Sequence, residues 1–113
     1  MNLDSVIFYS TDIEAVIPFY RDVLGLPVVD RQDGKFVFFS FDNGTKLGIK
    51  RSSEERERPG TQTFFAASDD IEADYDRLKA AGATFGKALV RPDGDQFSVL
   101  DADGNKVLFI ARG

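Results

Sequence analysis

The 113-residue chain is long enough for one compact domain and too short for two. It has no histidine and no cysteine, which excludes disulfides, thiolate nucleophiles, Ser-His-Asp or Cys-His catalysis and ordinary zinc sites. Fourteen basic and nineteen acidic residues leave a net charge of −5, which argues against nucleic acid as a partner, favours solubility and is compatible with a cationic ligand. Eleven phenylalanines and three tyrosines suit strands better than helices. No stretch approaches the roughly 20 apolar residues that cross a bilayer. The opening Met1-Asn2-Leu3-Asp4 lacks the basic and apolar regions of a secretory leader, so the expected location is cytoplasmic, with no membrane partner.

Val6-Ile7-Phe8-Tyr9 is an apolar run expected to form the first strand. Asp12 is a good helix N-cap, and Ile13, Val16, Ile17, Tyr20, Val23 and Leu24 follow at helical spacing. Pro18 predicts a kink in that helix, and Gly25 its end. Pro27-Val28-Val29 reads as a strand, Asp33-Gly34 as a hairpin turn and 36–41 as a β-prone run. Asp42-Asn43-Gly44 then turns the chain into a strand over 46–49. Residues 51–60 are almost wholly polar and close on Pro59-Gly60, which predicts a solvated linker. The order then repeats. Thr63-Phe64-Phe65 is a strand, and Asp70 caps a helix that ends at Ala81-Gly82. Residues 83–91, 96–100 and 106–111 are three further strands, separated by Pro92-Asp93-Gly94 and Asp101-Ala102-Asp103-Gly104.

The repeat extends to residue identities. Residues 10–15 match 68–73 at five of six positions, Gly25 corresponds to Gly82, and Gly44 to Gly104. Three landmarks in one order, offset by 57 to 60 residues, mark an internal duplication. The expected fold is therefore α+β. Two pseudo-symmetric βαβββ modules, 1–50 and 61–113, are joined by the linker 51–60, and eight strands curve as a sheet around a central cleft.

Three segments carry a family resemblance. Phe19-Tyr20-Arg21-Asp22-Val23-Leu24-Gly25-Leu26 resembles the first-helix signature of the vicinal-oxygen-chelate superfamily, which includes glyoxalases, dioxygenases and bleomycin-resistance proteins. Asp70-Ile71-Glu72 with Leu78-Lys79-Ala80-Ala81-Gly82-Ala83 resembles its second-helix counterpart, and Asp101-Ala102-Asp103-Gly104-Asn105 the turn before its last strand. The resemblance implies a divalent metal in the enzymes of the family, held by His, Gln or Glu on the first and last strands of each half. Carried onto this chain, those positions fall on Ser5, Gly48, Thr63 and Leu108. Glycine and leucine cannot ligate a cation, and two neutral hydroxyls supply no charge to offset its dehydration.

Ile7, Tyr9 and Phe65 share strand faces with those positions, so the expected pocket lining is Ser5, Ile7, Tyr9, Gly48, Thr63, Phe65 and Leu108. For Ile7 and Phe65 core packing is the equal alternative, and Tyr9 either donates to a ligand or caps the core. No catalytic residue, metal or other cofactor is assigned. The reading is a metal-free small-molecule binder of the bleomycin-resistance type, with an apolar and aromatic pocket. The alternatives are a glyoxalase-related lyase, isomerase or dioxygenase with atypical metal ligands, and a degenerate member with an assembly or regulatory role. The resemblance also implies a homodimer.

Overall fold

The computed structural model describes residues 1–112; Gly113, the last residue of the second expected module, lies outside the described residues. The first module runs β1 (Ser5–Ser10), α1 (Ile13–Pro18), a π-helical segment (Phe19–Val23), β2 (Val28–Gln32), β3 (Phe36–Ser40) and β4 (Lys46–Arg51). The second runs β5 (Thr63–Ser68), α2 (Ile71–Ala80), β6 (Thr84–Lys87), β7 (Gln96–Leu100) and β8 (Lys106–Ala111). The strands form two four-stranded sheets of equivalent order, β1-β4-β3-β2 and β5-β8-β7-β6. In each, the first and last strands of the module pair in parallel and the other pairs are antiparallel. The two βαβββ modules are thus present, with their eight strands divided between two sheets.

Both helices start as their sequences predict. The Asp12 carboxylate accepts from the Glu14 amide, and the Asp70 carboxylate from the Ala73 amide, satisfying donors that the first turn leaves free. Pro18 marks the point where the first helix changes pitch. It has no N–H to give the preceding turn, and the chain widens into the π-helical segment, closed by Leu24 N–H donating to the Phe19 carbonyl at 2.8 Å.

Each sheet buries the face that meets its helix. In the first module Phe8, Val37, Phe39, Leu47 and Ile49 pack with Ile13, Val16, Ile17 and Tyr20. In the second, Phe97, Val99, Val107 and Phe109 pack with Leu78, and the Phe97 and Phe109 rings stack at 4.8 Å. Strand alternation sends the intervening residues to the opposite, open face.

Two expectations need correction. The strand expected over 83–91 stops at Lys87. Leu89 turns into the core instead, and Arg91 pairs with Glu72 and Asp76 of α2, which draws this stretch off the sheet edge and over the helix. The connector 51–60 is only partly solvated. Glu57 is 8% exposed, and its carboxylate accepts from Lys50 Nζ at 2.9 Å and from the Ser53 amide at 2.9 Å.

The modules are joined through the turn between β7 and β8. Asp101 Oδ1 accepts from the amides of Asp103 and Asn105, while Asp101 Oδ2 accepts from the Tyr20 hydroxyl at 2.7 Å. Burial and the Asp101 carboxylate push the Tyr20 hydroxyl far above its ordinary pKa, so it remains a donor. Asn105, fully buried, donates to the Tyr9 carbonyl and accepts from the amides of Gly60 and Gln62. Gly60 has φ +84°, and a Cβ there would collide with the Asp103 carbonyl oxygen. Removing the Asn105 side chain strands several buried groups at once. Asn105→Ala is expected to lower unfolding free energy by about 3 kcal/mol. Thr45, its counterpart in the first module's turn, has no side-chain hydrogen bond among the described residues, and Thr45→Ala should change stability by about 0.5 kcal/mol or less. Paired urea titrations showing equal losses would refute this asymmetry.

Candidate ligand-binding site

The open face of the first sheet carries a cavity of about 390 Å³. Strand register builds its wall as two rows across β1, β4 and β3. Ile7, Gly48 and Phe38 make one row, and Tyr9, Lys50 and Phe36 the next. Gly48 has no side chain, and its neighbours lean over it. A Cβ at Gly48 would lie 2.6 Å from Phe38 Cε1 and 2.7 Å from Ile7 Cδ1. The Phe36 and Phe38 rings meet edge to face at 5.8 Å. Polar side chains in the lining come from Tyr9, Lys50 and Lys35, the last in the hairpin before β3.

Of the seven residues expected to line a pocket, Ile7, Tyr9 and Gly48 share this wall. Phe65 borders a different depression, of about 630 Å³, together with Leu3, Phe41 and Phe64. Ser5, Thr63 and Leu108 border neither. These two hollows share no lining residue, and the strand residues of the first all belong to the first sheet. Phe36, Phe38, Lys35 and Lys50 were not among the expected lining. Parity was the available signal for three of them: Phe38 pairs with Gly48, and Phe36 with Lys50, so all share the face of Ile7 and Tyr9.

The four positions to which the resemblance carries metal ligands do not fit a divalent ion. The space over Gly48 is taken by hydrocarbon, Leu108 is aliphatic, and Ser5 and Thr63 offer only neutral oxygen. Among the described residues, no three carboxylates gather where they could hold an ion.

A family model for the Glyoxalase/Bleomycin resistance protein/Dioxygenase superfamily matches residues 2–109. The chain belongs to that superfamily. Solved structures agree on the fold. TnmS3, an antibiotic-binding protein from Streptomyces sp. CB03234, is 20% identical with TM-score 0.80, covering 100% of this chain and 97% of the other. A lactoylglutathione lyase from Agrobacterium tumefaciens is 23% identical with TM-score 0.78, covering 97% and 92%. A glyoxalase/bleomycin resistance protein from Catenulispora acidiphila is 18% identical with TM-score 0.79, covering 99% and 100%. At such identities the likeness speaks for shared fold alone. Among curated proteins, none matches the sequence.

The rim of this superfamily member's cavity is held by one ion pair. The Lys50 ammonium, then the Ser53 amide and hydroxyl, hold the Glu57 carboxyl down at about 2. Glu57 in turn raises the Lys50 pKa. A carboxyl depressed on folding stabilises the folded state above its unfolded pKa, and that contribution is lost as pH falls through 4.5 towards about 2. Glu57→Gln should therefore melt lower than the parent at about pH 7, with the gap closing by about pH 2. A gap independent of pH in thermal unfolding would show that Glu57 acts by packing alone.

Proposed function

We propose that this protein is a metal-free small-molecule binder of the bleomycin-resistance type, with the cavity on the first sheet as its binding site. The observation that carries this reading is the cavity's chemistry: aromatic and aliphatic walls at Ile7, Phe36 and Phe38, with polar side chains from Tyr9, Lys35 and Lys50 alone. Such a site draws affinity from apolar burial and orientation from its edge. Among the described residues, no carboxylate lines this cavity to serve as a general base. The antibiotic-binding protein TnmS3 has the same fold and supports binding as a role, while the lactoylglutathione lyase shows that the fold also hosts catalysis.

A thermal-shift screen of small aromatic and heteroaromatic compounds tests the reading. Ile7 is 39% exposed on the cavity wall, so Ile7→Trp should fill the cavity at little cost in stability and remove the melting shift given by the best hits. Gly48→Phe must displace Ile7 and Phe38, and should also lose about 1–3 kcal/mol by overpacking. Hits that bind Ile7→Trp at unchanged affinity would place the site elsewhere.

The second open face supports the homodimer that the resemblance implies. Phe65 is 66% exposed and Ile110 36% exposed on one face of β5 and β8, an arrangement that favours covering by another surface. A second copy would cover this face, with small molecules rather than nucleic acid or membrane as the remaining partners and the cytoplasm as the location. No described helix is long and apolar enough to cross a membrane. Sedimentation at micromolar concentration should give a dimer that Phe65→Asp shifts to monomer; a parent sedimenting as monomer would end this assignment.

A further inference from the structure

Beside the apolar cavity, and sharing Lys35 and Lys50 with it, is a second pocket completed by Gly34, Arg51, Ser52 and Ser53. The chain carries net charge −5, yet the side chains at this place are three cations and two hydroxyls. Nearby carboxylates are otherwise engaged. Glu57 binds Lys50, Glu54 pairs with Arg56, and Asp33 pairs with Arg31. Among the described residues, Lys35 and Arg51 have no carboxylate within salt-bridge distance. Three cations and one carboxylate leave a net positive charge in the pocket beside the cavity. The second observation is Ser52. Its Oγ is buried and is the one such side-chain atom among the described residues without a hydrogen-bond partner. A buried hydroxyl with no partner is unfavourable, and an acceptor brought by a ligand would relieve it.

We propose that the two pockets form one bipartite site for a planar aromatic ligand bearing an anionic group, a carboxylate or a phosphate. The ring enters against Ile7, Phe36 and Phe38, and the anion is held by Lys35, Arg51, Lys50 and the Ser52 hydroxyl. Glu57 fixes the Lys50 ammonium by its 2.9 Å hydrogen bond and so sets where that charge sits. The linker between the modules thereby supplies Arg51, Ser52 and Ser53 to the site. Cations paired with an anion beside an apolar wall gain from the low local dielectric, and charge-assisted hydrogen bonds are stronger than neutral ones. The net acidity of the chain does not weaken this, since screening at physiological salt cuts charges beyond about 8 Å.

The inference rests on the cavity being a small-molecule site, and the test separates the two. Three probes share one ring system: 2-naphthoate, 2-naphthyl phosphate and neutral 2-naphthamide, titrated by calorimetry into the full chain. At least one anion should bind about ten-fold or more tightly than the amide at low salt, with the preference shrinking several-fold at about 0.5 M NaCl. The stronger anion identifies the group, carboxylate or phosphate. Lys35→Gln and Arg51→Gln, both at exposed positions, should each weaken the anions by about three- to ten-fold and leave the amide unchanged. Ser52→Ala should act in the same direction. If the amide binds as tightly as both anions, the anionic half is overturned and the cavity reading stands. If Ile7→Trp abolishes amide binding and leaves anion binding intact, the two pockets are not one site. If none of the three binds at millimolar concentration, the aromatic-anion assignment fails, whatever the wider screen with Ile7→Trp returns. Salt dependence in the parent protein decides the electrostatic half even if a variant does not fold.

Discussion

The arrangement of the two modules depends on the buried Asp101 carboxylate and the Asn105 amide beside it. Between them they engage Tyr20 from the end of the first helical stretch, the Tyr9 carbonyl on β1, and the amides of Gly60 and Gln62 at the end of the connector. Ser10 and Thr11 add hydrogen bonds to Asp103 on the outer side of the same turn. A buried carboxylate is costly unless its lone pairs are satisfied. Here the partners come from both modules, so its satisfaction and the docking of the modules are one event. The duplicated turn in the first module does not do this. Phe41 stands where Asp101 stands in the second, and packs on Phe64 at 5.4 Å. One junction is polar and directional, the other apolar and tolerant, and the pseudo-symmetry is broken at the place that sets geometry.

That docking leaves the helix-facing sides of the sheets closed and the opposite sides open. The closed sides hold the rings and aliphatics that drive folding. The open sides carry Ile7, Phe36, Phe38, Phe65 and Ile110, whose exposure contributes nothing to stability in the isolated chain. Apolar residues kept in water on a regular surface mark places where something else binds. The first open face carries a cavity walled by Ile7, Phe36 and Phe38, with Ile7 and Phe38 leaning over Gly48. The second carries the more exposed ring, Phe65. On the reading proposed above, a small ligand occupies one face and a second copy of the chain covers the other.

Charge works at two scales. The whole chain is acidic, and its acidic residues are spread over helix starts, turns and surface ion pairs. The connector is locally different, and its role changes once its contacts are visible. Glu57 folds back onto Lys50 and fixes 51–60 against β4, so the segment walls a pocket as well as joining the modules. Polar composition made it read as a solvated tether, because a buried carboxylate and an exposed one look identical until their partners are known.

By itself the sequence determined the duplication, the order of elements, both N-caps, the closing glycines and the inward parity of the strands. Each of these is local: hydrophobic period, capping chemistry and turn preference act within a few residues. It also determined that this chain carries no imidazole and no thiolate, whereas Gly48 and Leu108 are ligand positions only as the family resemblance implies. Tertiary structure alone decided that the eight strands split into two sheets, that 83–91 leaves the edge after Lys87, and that Ile7, Phe36, Phe38 and Gly48 form one wall apart from Phe65. It also decided that Asp101 and Asn105 clasp the other module, and that Lys35 and Arg51 line one pocket beside the cavity. These depend on register between strands distant in sequence and on which face each sheet offers its neighbour. A one-residue slip in pairing would reverse every such assignment, and no local signal in the chain encodes the pairing partner.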